Sequence, residues 1–253
     1  IESAKDCGAD YVKFQKRDNK ELLGKSYSNP HPNPENSYGK TYGQHRDFLE
    51  FSLKQHKELF KFCKKINIGF STSVWDVSSA KIICKNIRMD FVKVPSACNT
   101  NLNLISTILG NFKKKVHVSL GMTTSQEIQN IIKIFKKKKR IKDLVLYACT
   151  SDYPANTQDL CLLEVQKISK LEKKIFAVGF SGHHLGIAAD IAAYTLGARY
   201  IERHFTLDRT WKGTDHAASL EPSGLRKLKR DLEAVYDALS YKSENILPIE
   251  KVQ

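Results

Sequence analysis

The sequence predicts an α/β fold, a (β/α)8 barrel of the TIM type, and three observations lead to it. Short apolar runs alternate with amphipathic segments, seven such runs can be counted, and a length of 253 residues suits one barrel domain. Strands that alternate with helices pair in parallel through right-handed crossovers. We therefore predict strands at residues 10–15, 68–72, 90–95, 115–120, 143–148, 175–181 and 199–204.

An eighth strand is missing from this set. The chain opens with IESAKDCGAD, which is typical of a helix that ends at Gly8, so we expect the first barrel strand to precede Ile1 and residues 1–253 to be a clipped barrel domain. Residues 16–46 are polar and rich in Pro and Asn, and we expect them to lie on the active face as a lid or subunit contact. The remaining segments predict helices at residues 47–65, 77–85, 102–109, 125–137, 157–171, 185–196 and 223–240.

Composition narrows the class of protein. The net charge is +14, but the lysines are spread along the chain and the densest run, FKKKKRIK at residues 135–142, suits a solvated helix end, so we expect no nucleic-acid partner. The six cysteines form no CxxC pair, which is typical of reduced thiols. No apolar run approaches the roughly 20 residues of a membrane span, and we expect a soluble cytoplasmic protein.

Two histidines follow two consecutive predicted strands. VGFSGHH ends with His183 and His184, and ARYIERHF carries His204, with one helix-like segment between the two runs. Because a helical crossover makes these strands parallel neighbours, His183 and His204 emerge at the same sheet edge and could share one metal ion. The alternative is that His183 or His184 caps the next helix and that His204 is a hydrogen-bonded strand-end residue.

Two lysines lie inside strands that otherwise read as apolar. Burying Lys13 or Lys93 is costly unless an anion or a carboxylate pairs with it, so the two lysines predict either an anion site or an internal salt-bridge layer with Asp10 and Asp90. In a barrel, the C-terminal strand ends carry the chemistry. Polar side chains at or after those ends are Gln15, Ser71, Ser73, Ser96, Ser119, Thr150, Ser151, Tyr153, Ser181 and Asp215.

Several motifs together resemble the sialic acid synthase family, the phosphoenolpyruvate-dependent synthases of nonulosonic acids. They are GADYVKFQK, GKTYGQHRDFLEFS, FSTSVWD, KVPSACNTN, HVSLGMTT, CTSDYP, GFSGHH and ERHFTLDRTWKGTDHAASLEP. The resemblance implies condensation of phosphoenolpyruvate with N-acetylmannosamine to give N-acetylneuraminate and phosphate. It also implies a divalent ion, usually Mn²⁺ with Mg²⁺ or Co²⁺ as alternatives, a homodimer, and a barrel followed by an antifreeze-like domain.

The resemblance also assigns roles to residues. His183 and His204 would be the metal ligands. Catalytic roles fall to Lys13, Lys93 and Asp215. The two lysines, with Ser96, Ser119, Ser151 and Ser181, would surround phosphoenolpyruvate, while Gln15, Tyr153 and Asp215 would face the sugar.

The chain departs from the family pattern in four places. The first strand, where the family carries EIG-x-N-H-x-G and a glutamate credited with catalysis, is absent, and ILPIEKVQ ends the chain where a linker to the antifreeze-like domain would begin. Cys98 and Ser151 stand where bacterial members often have Glu and Asn.

Other functions stay open at this point. One is a 9-phosphate synthase that uses the 6-phosphorylated sugar, whose phosphate residues 16–46 could hold. Another is a legionaminic or pseudaminic acid synthase. A third, of a different class, is a non-catalytic basic barrel that binds nucleic acid or protein.

Overall fold

The computed structural model describes residues 1–252 and contains one seven-stranded parallel sheet in the order β1 to β7. Each strand pairs with the next along the chain, and the sheet curls so that Lys13 of the first strand reaches within 3.6 Å of Glu202 of the last. The predicted α/β barrel architecture is confirmed as a curled, seven-stranded half-barrel. Its strands are β1 Tyr11–Lys16, β2 Gly69–Val74, β3 Phe91–Val94, β4 Lys115–Ser119, β5 Leu144–Cys149, β6 Ala177–Gly182 and β7 Tyr200–Arg203.

Helices connect the strands and cover the outer face of the sheet. Apolar residues that point outward from the strands, such as Val92, Val116 and Leu146, are fully buried against them. The helices are α1 Glu2–Asp6, α2 Asn19–Leu23, α3 Tyr42–Leu49, α4 Leu53–Lys65, α5 Val77–Asn86, α6 Leu102–Asn111, α7 Ser125–Lys137, α8 Glu164–Leu171, α9 Ala188–Thr195 and α10 Pro222–Ala238.

Three predicted helices begin elsewhere than expected. The segment predicted as one helix at 47–65 is two helices, α3 and α4, because Ser52 forms a capping box with Gln55 and starts a new helix. The segment at 157–171 begins as a 3-10 turn, and Cys161 has a left-handed backbone with φ of 47°, so α8 starts only at Glu164. Helix α9 begins at Ala188 rather than at Leu185.

The long segment after β1 folds over the C-terminal end of the sheet. It contains α2, two 3-10 turns and α3, and it contacts the segment that follows β7. Tyr38 Oη donates to the carbonyl of Lys212 at 2.6 Å, and the backbone N–H of Gly213 donates to Asn36 Oδ1 at 3.3 Å. Residues 17–46 therefore lie beside the loop that carries Asp215.

Two further features concern the chain as a whole. All six cysteines are free thiols, and four of them are buried, while Cys149 is half-buried and Cys161 is exposed.

Within residues 1–252, the structure contains no helix with the length and apolar character that a bilayer crossing requires.

Candidate active site

Side chains on the inner face of the sheet form two layers. Because side chains alternate across a strand, residues two apart point to the same face. The N-terminal halves of the strands contribute a layer that we call the aromatic floor: Tyr11, Phe91, His117, Tyr147 and Tyr200. Two residues further along, the strands contribute a polar layer, and its charged part, which we call the cationic cradle, consists of Lys13, Lys93, Ser181 and Glu202.

Glu202 is the carboxylate that joins the two lysines. Lys93 Nζ donates to Glu202 Oε1 at 2.5 Å, and Lys13 Nζ lies 3.6 Å from the same oxygen. Ser181 Oγ donates to this oxygen at 3.2 Å, while Lys13 Nζ also donates to Ser73 Oγ at 3.0 Å. The Lys93 side chain is 2% exposed, whereas those of Lys13 and Glu202 are 20% and 22% exposed. Two cations thus share one carboxylate, and the cradle keeps an excess of positive charge.

The pKa values follow from this arrangement. Burial raises the pKa of Glu202, but the charges of Lys13 and Lys93 outweigh it and hold that pKa below its usual range. Burial lowers the pKa of Lys93, and the nearby Glu202 opposes the shift. Lys93 also lies 4.1 Å above the centre of the Tyr147 ring, so the face of an aromatic ring stabilises its charge from below.

Hydroxyl groups and one thiol lie beside the cradle. Ser96 Oγ accepts the backbone N–H of Gly121 at 3.1 Å and lies 3.6 Å from Cys149 Sγ, which in turn lies 3.9 Å from Ser151 Oγ. A Cβ atom at Gly121 would overlap Ser151 Oγ and Ser96 Oγ, so a larger residue here would displace these two hydroxyls. Ser119 is buried on the neighbouring strand, at the end of β4.

The thiol of Cys149 belongs to this group. Burial raises its pKa, but hydrogen bonds with His183 and Ser96 and the charge of Lys93 outweigh burial, so the pKa is lowered. By contrast, burial raises the pKa of the Cys98 thiol to about 11. Cys98 is therefore an ordinary buried thiol, while Cys149 faces the polar layer.

His183 and His204 lie side by side above the cradle. Their ring centroids are 5.4 Å apart, and an ion bonded at about 2.1 Å to one nitrogen of each ring fits between rings at this separation. His183 Nδ1–H donates to the carbonyl of Thr150 at 2.8 Å, and His204 Nδ1 lies 3.8 Å from Asp215 Oδ2. An oxygen thus faces Nδ1 of each ring, which leaves Nε2 as the nitrogen for a ligand.

The donor set fits a catalytic rather than a structural metal site. Burial lowers the pKa of His204 to about 4, so the ring is the neutral form that metal ligation requires. Across residues 1–252, no group of three or more His, Cys, Asp or Glu side chains is arranged to hold a metal ion. Two imidazoles with the other positions open to substrate or water match the chemistry of a divalent ion at a reaction site.

His184, the next residue in the chain, faces the opposite way. Its Nε2 lies 3.3 Å from Asp190 Oδ2, and Asp190 is paired at 2.5 Å with Arg203 Nη1. The capping role considered for His184 is therefore wrong, because its ring joins a buried ion pair outside the barrel. His183 and His184 are adjacent in sequence but belong to two separate clusters.

The remaining predicted residues lie around the histidine pair. The Tyr153 ring is 4.2 Å from the His183 ring and 5.6 Å from the His204 ring, centre to centre. Asp215 faces His204, and Gln15 continues the inner face of β1 above Lys13. Gln15 Oε1 accepts a hydrogen bond from Arg17 Nη2. The residues assigned to the donor, the sugar and the metal thus lie at one end of the sheet, whereas His184 lies in a separate cluster.

Two site residues escaped the sequence prediction. Glu202 is the more important, because the salt-bridge layer considered as an alternative to an anion site named Asp10 and Asp90 as partners of the lysines, and those partners are wrong. Asp10 contacts Lys229 at 3.3 Å, and Asp90 accepts the backbone N–H of Phe70 at 2.9 Å. Alternation along RYIERH places Glu202 on the face of His204, so the signal was present in the sequence. The other is Arg17, while Ser73, which was predicted at a strand end, contacts Lys13.

The fold and this cluster together define an enzyme of the α/β-barrel type, with a cationic cradle beside a pair of imidazole rings. A model of the NeuB family matches residues 1–244, and the chain belongs to that family. The family expected from the sequence motifs is therefore confirmed, and the chain is a synthase of the sialic and nonulosonic acid type.

Individual relatives agree with this assignment. The chain is 37% identical to N-acetylneuraminate-9-phosphate synthase of Mus musculus, over 99% of this chain and 68% of that protein. It is 34% identical to N,N'-diacetyllegionaminic acid synthase of Campylobacter jejuni, over 94% of this chain and 71% of that protein. The structure of N-acetylneuraminic acid synthetase from Leptospira borgpetersenii, solved with citrate, superposes with a TM-score of 0.83 at 28% identity, covering 99% of this chain and 81% of that one.

Proposed function

We propose that the protein condenses phosphoenolpyruvate with an N-acetylmannosamine acceptor to give an N-acetylneuraminate product and inorganic phosphate. The observation that carries this proposal is the cationic cradle directly beside the His183–His204 pair. Such a pair of neighbouring sites would bring together two reactants, an anionic, activated three-carbon donor and an electrophilic aldehyde.

The cradle suits phosphoenolpyruvate. Lys13 and Lys93 share only one carboxylate, so positive charge remains for the phosphate and carboxylate of the donor. The hydroxyls of Ser96, Ser119, Ser151 and Ser181 surround this charge and can donate to the remaining oxygens. Fixed cations in a largely buried site stabilise developing charge more strongly than the same groups would in water.

The histidine pair suits the acceptor. A divalent ion, most simply Mn²⁺, bound by Nε2 of His183 and Nε2 of His204 would act as a Lewis acid toward the open-chain aldehyde. Asp215 orients His204, and the Thr150 carbonyl orients His183. Tyr153 packs against both rings and limits the space in which the sugar can lie.

The bonds change in a defined order. C3 of phosphoenolpyruvate attacks the aldehyde carbon and forms the new C–C bond, while the aldehyde oxygen takes up a proton. Water adds to C2, and phosphate then leaves with the bridging oxygen by C–O cleavage. Lys13 and Lys93 stay in contact with the phosphate throughout, so the charge of the leaving group does not have to be solvated anew.

Steady-state kinetics on the complete polypeptide test this function. We expect phosphate release and consumption of phosphoenolpyruvate in a 1:1 ratio with the C–C coupled sugar acid, and only when an N-acetylmannosamine acceptor is present. Phosphate release that continues at the same rate without any acceptor, or no turnover with any N-acylated hexosamine, would contradict the proposal.

A further inference from the structure

We propose that Tyr147 is a positioning residue for the donor: its ring holds the Lys93 ammonium in the orientation in which that group binds phosphoenolpyruvate. Tyr147 belongs to the aromatic floor, one layer below the cationic cradle, so it acts through Lys93 and touches neither reactant. The inference rests on the proposed function, because it concerns the donor site of that reaction.

The Tyr147 ring lies against Lys93 from below. Lys93 Nζ is 4.1 Å from the centre of the ring, and the Lys93 side chain is 2% exposed. A cation over an aromatic face is stabilised most strongly where water is excluded. Lys93 is on β3 and Tyr147 is on β5, so the ring reaches past the intervening strand β4 to make this contact. The ring therefore closes the side of the ammonium that faces the floor.

The ring is itself fixed on several sides. Tyr147 is 2% exposed, and its hydroxyl is hydrogen bonded at 2.8 Å to His117 Nδ1. His117 is stacked on Phe91, with ring centres 3.8 Å apart. Gly179 is the partner of Tyr147 in the register of β5 and β6, and a Cβ atom there would come within 2.6 Å of the ring. The ring thus fills space that a side chain at position 179 would take, and it cannot move without displacing its neighbours.

A fixed ring determines where the Lys93 ammonium can donate. The ammonium has three N–H groups, and one of them donates to Glu202 Oε1 at 2.5 Å. Because the ring covers the floor side, the other N–H groups are left for the oxygens of the donor. Without the ring, the flexible four-carbon stem of Lys93 could turn Nζ in other directions, and the donor would have to order it on binding.

Two substitutions of Tyr147 separate the ring from its hydroxyl. Tyr147→Phe and Tyr147→Leu both lose the hydrogen bond to His117, but only Tyr147→Leu loses the aromatic face. The other titratable groups that face Lys93 are kept in both variants: Glu202, Lys13, Cys149 and His117. Because the ring favours the charged ammonium, its loss should lower the pKa of Lys93, so that the ammonium gives up its proton at a lower pH.

The test measures the Kd of phosphoenolpyruvate as a function of pH, by calorimetry on the complete polypeptide. We expect Tyr147→Leu to weaken binding by about 10- to 30-fold and to move the alkaline loss of affinity about one pH unit toward neutrality. Tyr147→Phe keeps the aromatic face, and its Kd should stay within about threefold of the parent, with the alkaline loss at the parent pH.

Two further variants distinguish positioning from packing. Gly179→Ala keeps the Tyr147 ring but displaces it, and we expect about 3- to 10-fold weaker binding with a pH shift in the same direction. Tyr200→Leu removes another floor ring, which lies 4.8 Å from the His117 ring, and should leave both the Kd and its pH dependence unchanged. If Tyr147→Leu does not fold, the comparison of Gly179→Ala with the parent decides.

The outcomes also separate this inference from the proposed function. A Tyr147→Leu or Gly179→Ala variant with the Kd and pH dependence of the parent overturns the role of Tyr147. Equal losses in Tyr147→Leu and Tyr147→Phe, or in Tyr147→Leu and Tyr200→Leu, also overturn it, because packing alone would then explain them. A parent that binds no phosphoenolpyruvate overturns both proposals. A parent that binds it but couples it to no acceptor overturns only the proposed reaction, since the Kd values still decide the role of Tyr147.

Discussion

The cationic cradle and the aromatic floor lie two residues apart on the same strands, yet the cradle buries charged side chains and the floor buries uncharged rings. The cradle buries Lys93 against Glu202 and keeps an excess positive charge. The floor buries His117 as a neutral ring, stacked at 3.8 Å on Phe91 and hydrogen bonded at 2.8 Å to Tyr147 Oη. A buried charge is costly, so its presence in only one layer indicates where a ligand must supply a compensating charge.

The two layers are also coupled. The Tyr147 ring lies between the two layers. Its hydroxyl is hydrogen bonded to His117 of the floor, and its face packs under the Lys93 ammonium of the cradle. Burial and, after it, the charge of Lys93 lower the pKa of His117 to about 3, so the floor stays neutral chiefly because it is buried and in part because the cradle is charged. Substitutions that make one layer resemble the other, charged or uncharged, should therefore change activity and stability by different amounts.

The largest effect on activity is expected for Lys93→Met. This variant removes a fixed cation from the donor phosphate, and we expect kcat/KM for phosphoenolpyruvate to fall by about 10²- to 10³-fold. Lys115→Met is the matched control, because Lys115 lies on the adjacent strand β4 but its Nζ lies 3.8 Å from the centre of the exposed Phe176 ring, and kcat/KM should stay within about twofold of the parent. A Lys93→Met variant that keeps more than a tenth of the parent value would show that the cradle is structural.

The largest effect on stability is expected for Glu202→Gln. The variant leaves Lys93 buried without a counter-charge, and we expect the free energy of unfolding to fall by about 3 kcal/mol. Replacing both partners, in Lys93→Met with Glu202→Met, should bring stability back to within about 1 kcal/mol of the parent while activity stays lost. Denaturant titration measures both values, and a double variant less stable than Glu202→Gln would contradict the charge argument.

A smaller effect concerns the pH dependence of stability. In the unfolded chain His117 takes up a proton near pH 6.5, whereas in the folded chain its pKa is about 3. Acidification therefore favours the unfolded chain, and between pH 7 and 5 this residue alone should reduce the free energy of unfolding by about 2 kcal/mol. His117→Phe should remove that part of the pH dependence. Identical losses in parent and variant over this pH range would mean that the floor histidine is not held neutral.

Much of this arrangement could be predicted from the sequence, because the two-residue alternation within a strand and the order of the strands along the chain can both be read from it. All seven strands and the convergence of Lys13, Lys93, His183 and His204 could be predicted from alternating patterns. Glu202 was missed because the run before His204 was interpreted as apolar. Arg17 was missed because the strand was expected to end at Gln15, whereas β1 extends to Lys16.

Other features depend in part on tertiary contacts. The break between α3 and α4 has a local signal, the Ser52–Gln55 capping box, but Glu50 in the break also contacts Lys16 and Arg17, more than 30 positions away in the chain. Likewise, the motif GHH contains no sign that the His184 ring pairs with Asp190. These choices are made by tertiary packing.

The central claim is that His183 and His204 hold a divalent cation, and calorimetric titration of the metal-stripped protein with Mn²⁺ tests it most directly. We expect one Mn²⁺ per chain for the parent, at least tenfold weaker binding for His183→Ala and for His204→Ala, and unchanged affinity for His184→Gln, whose ring lies in the other cluster. Equal Mn²⁺ affinity in the parent and in both alanine variants would contradict the account.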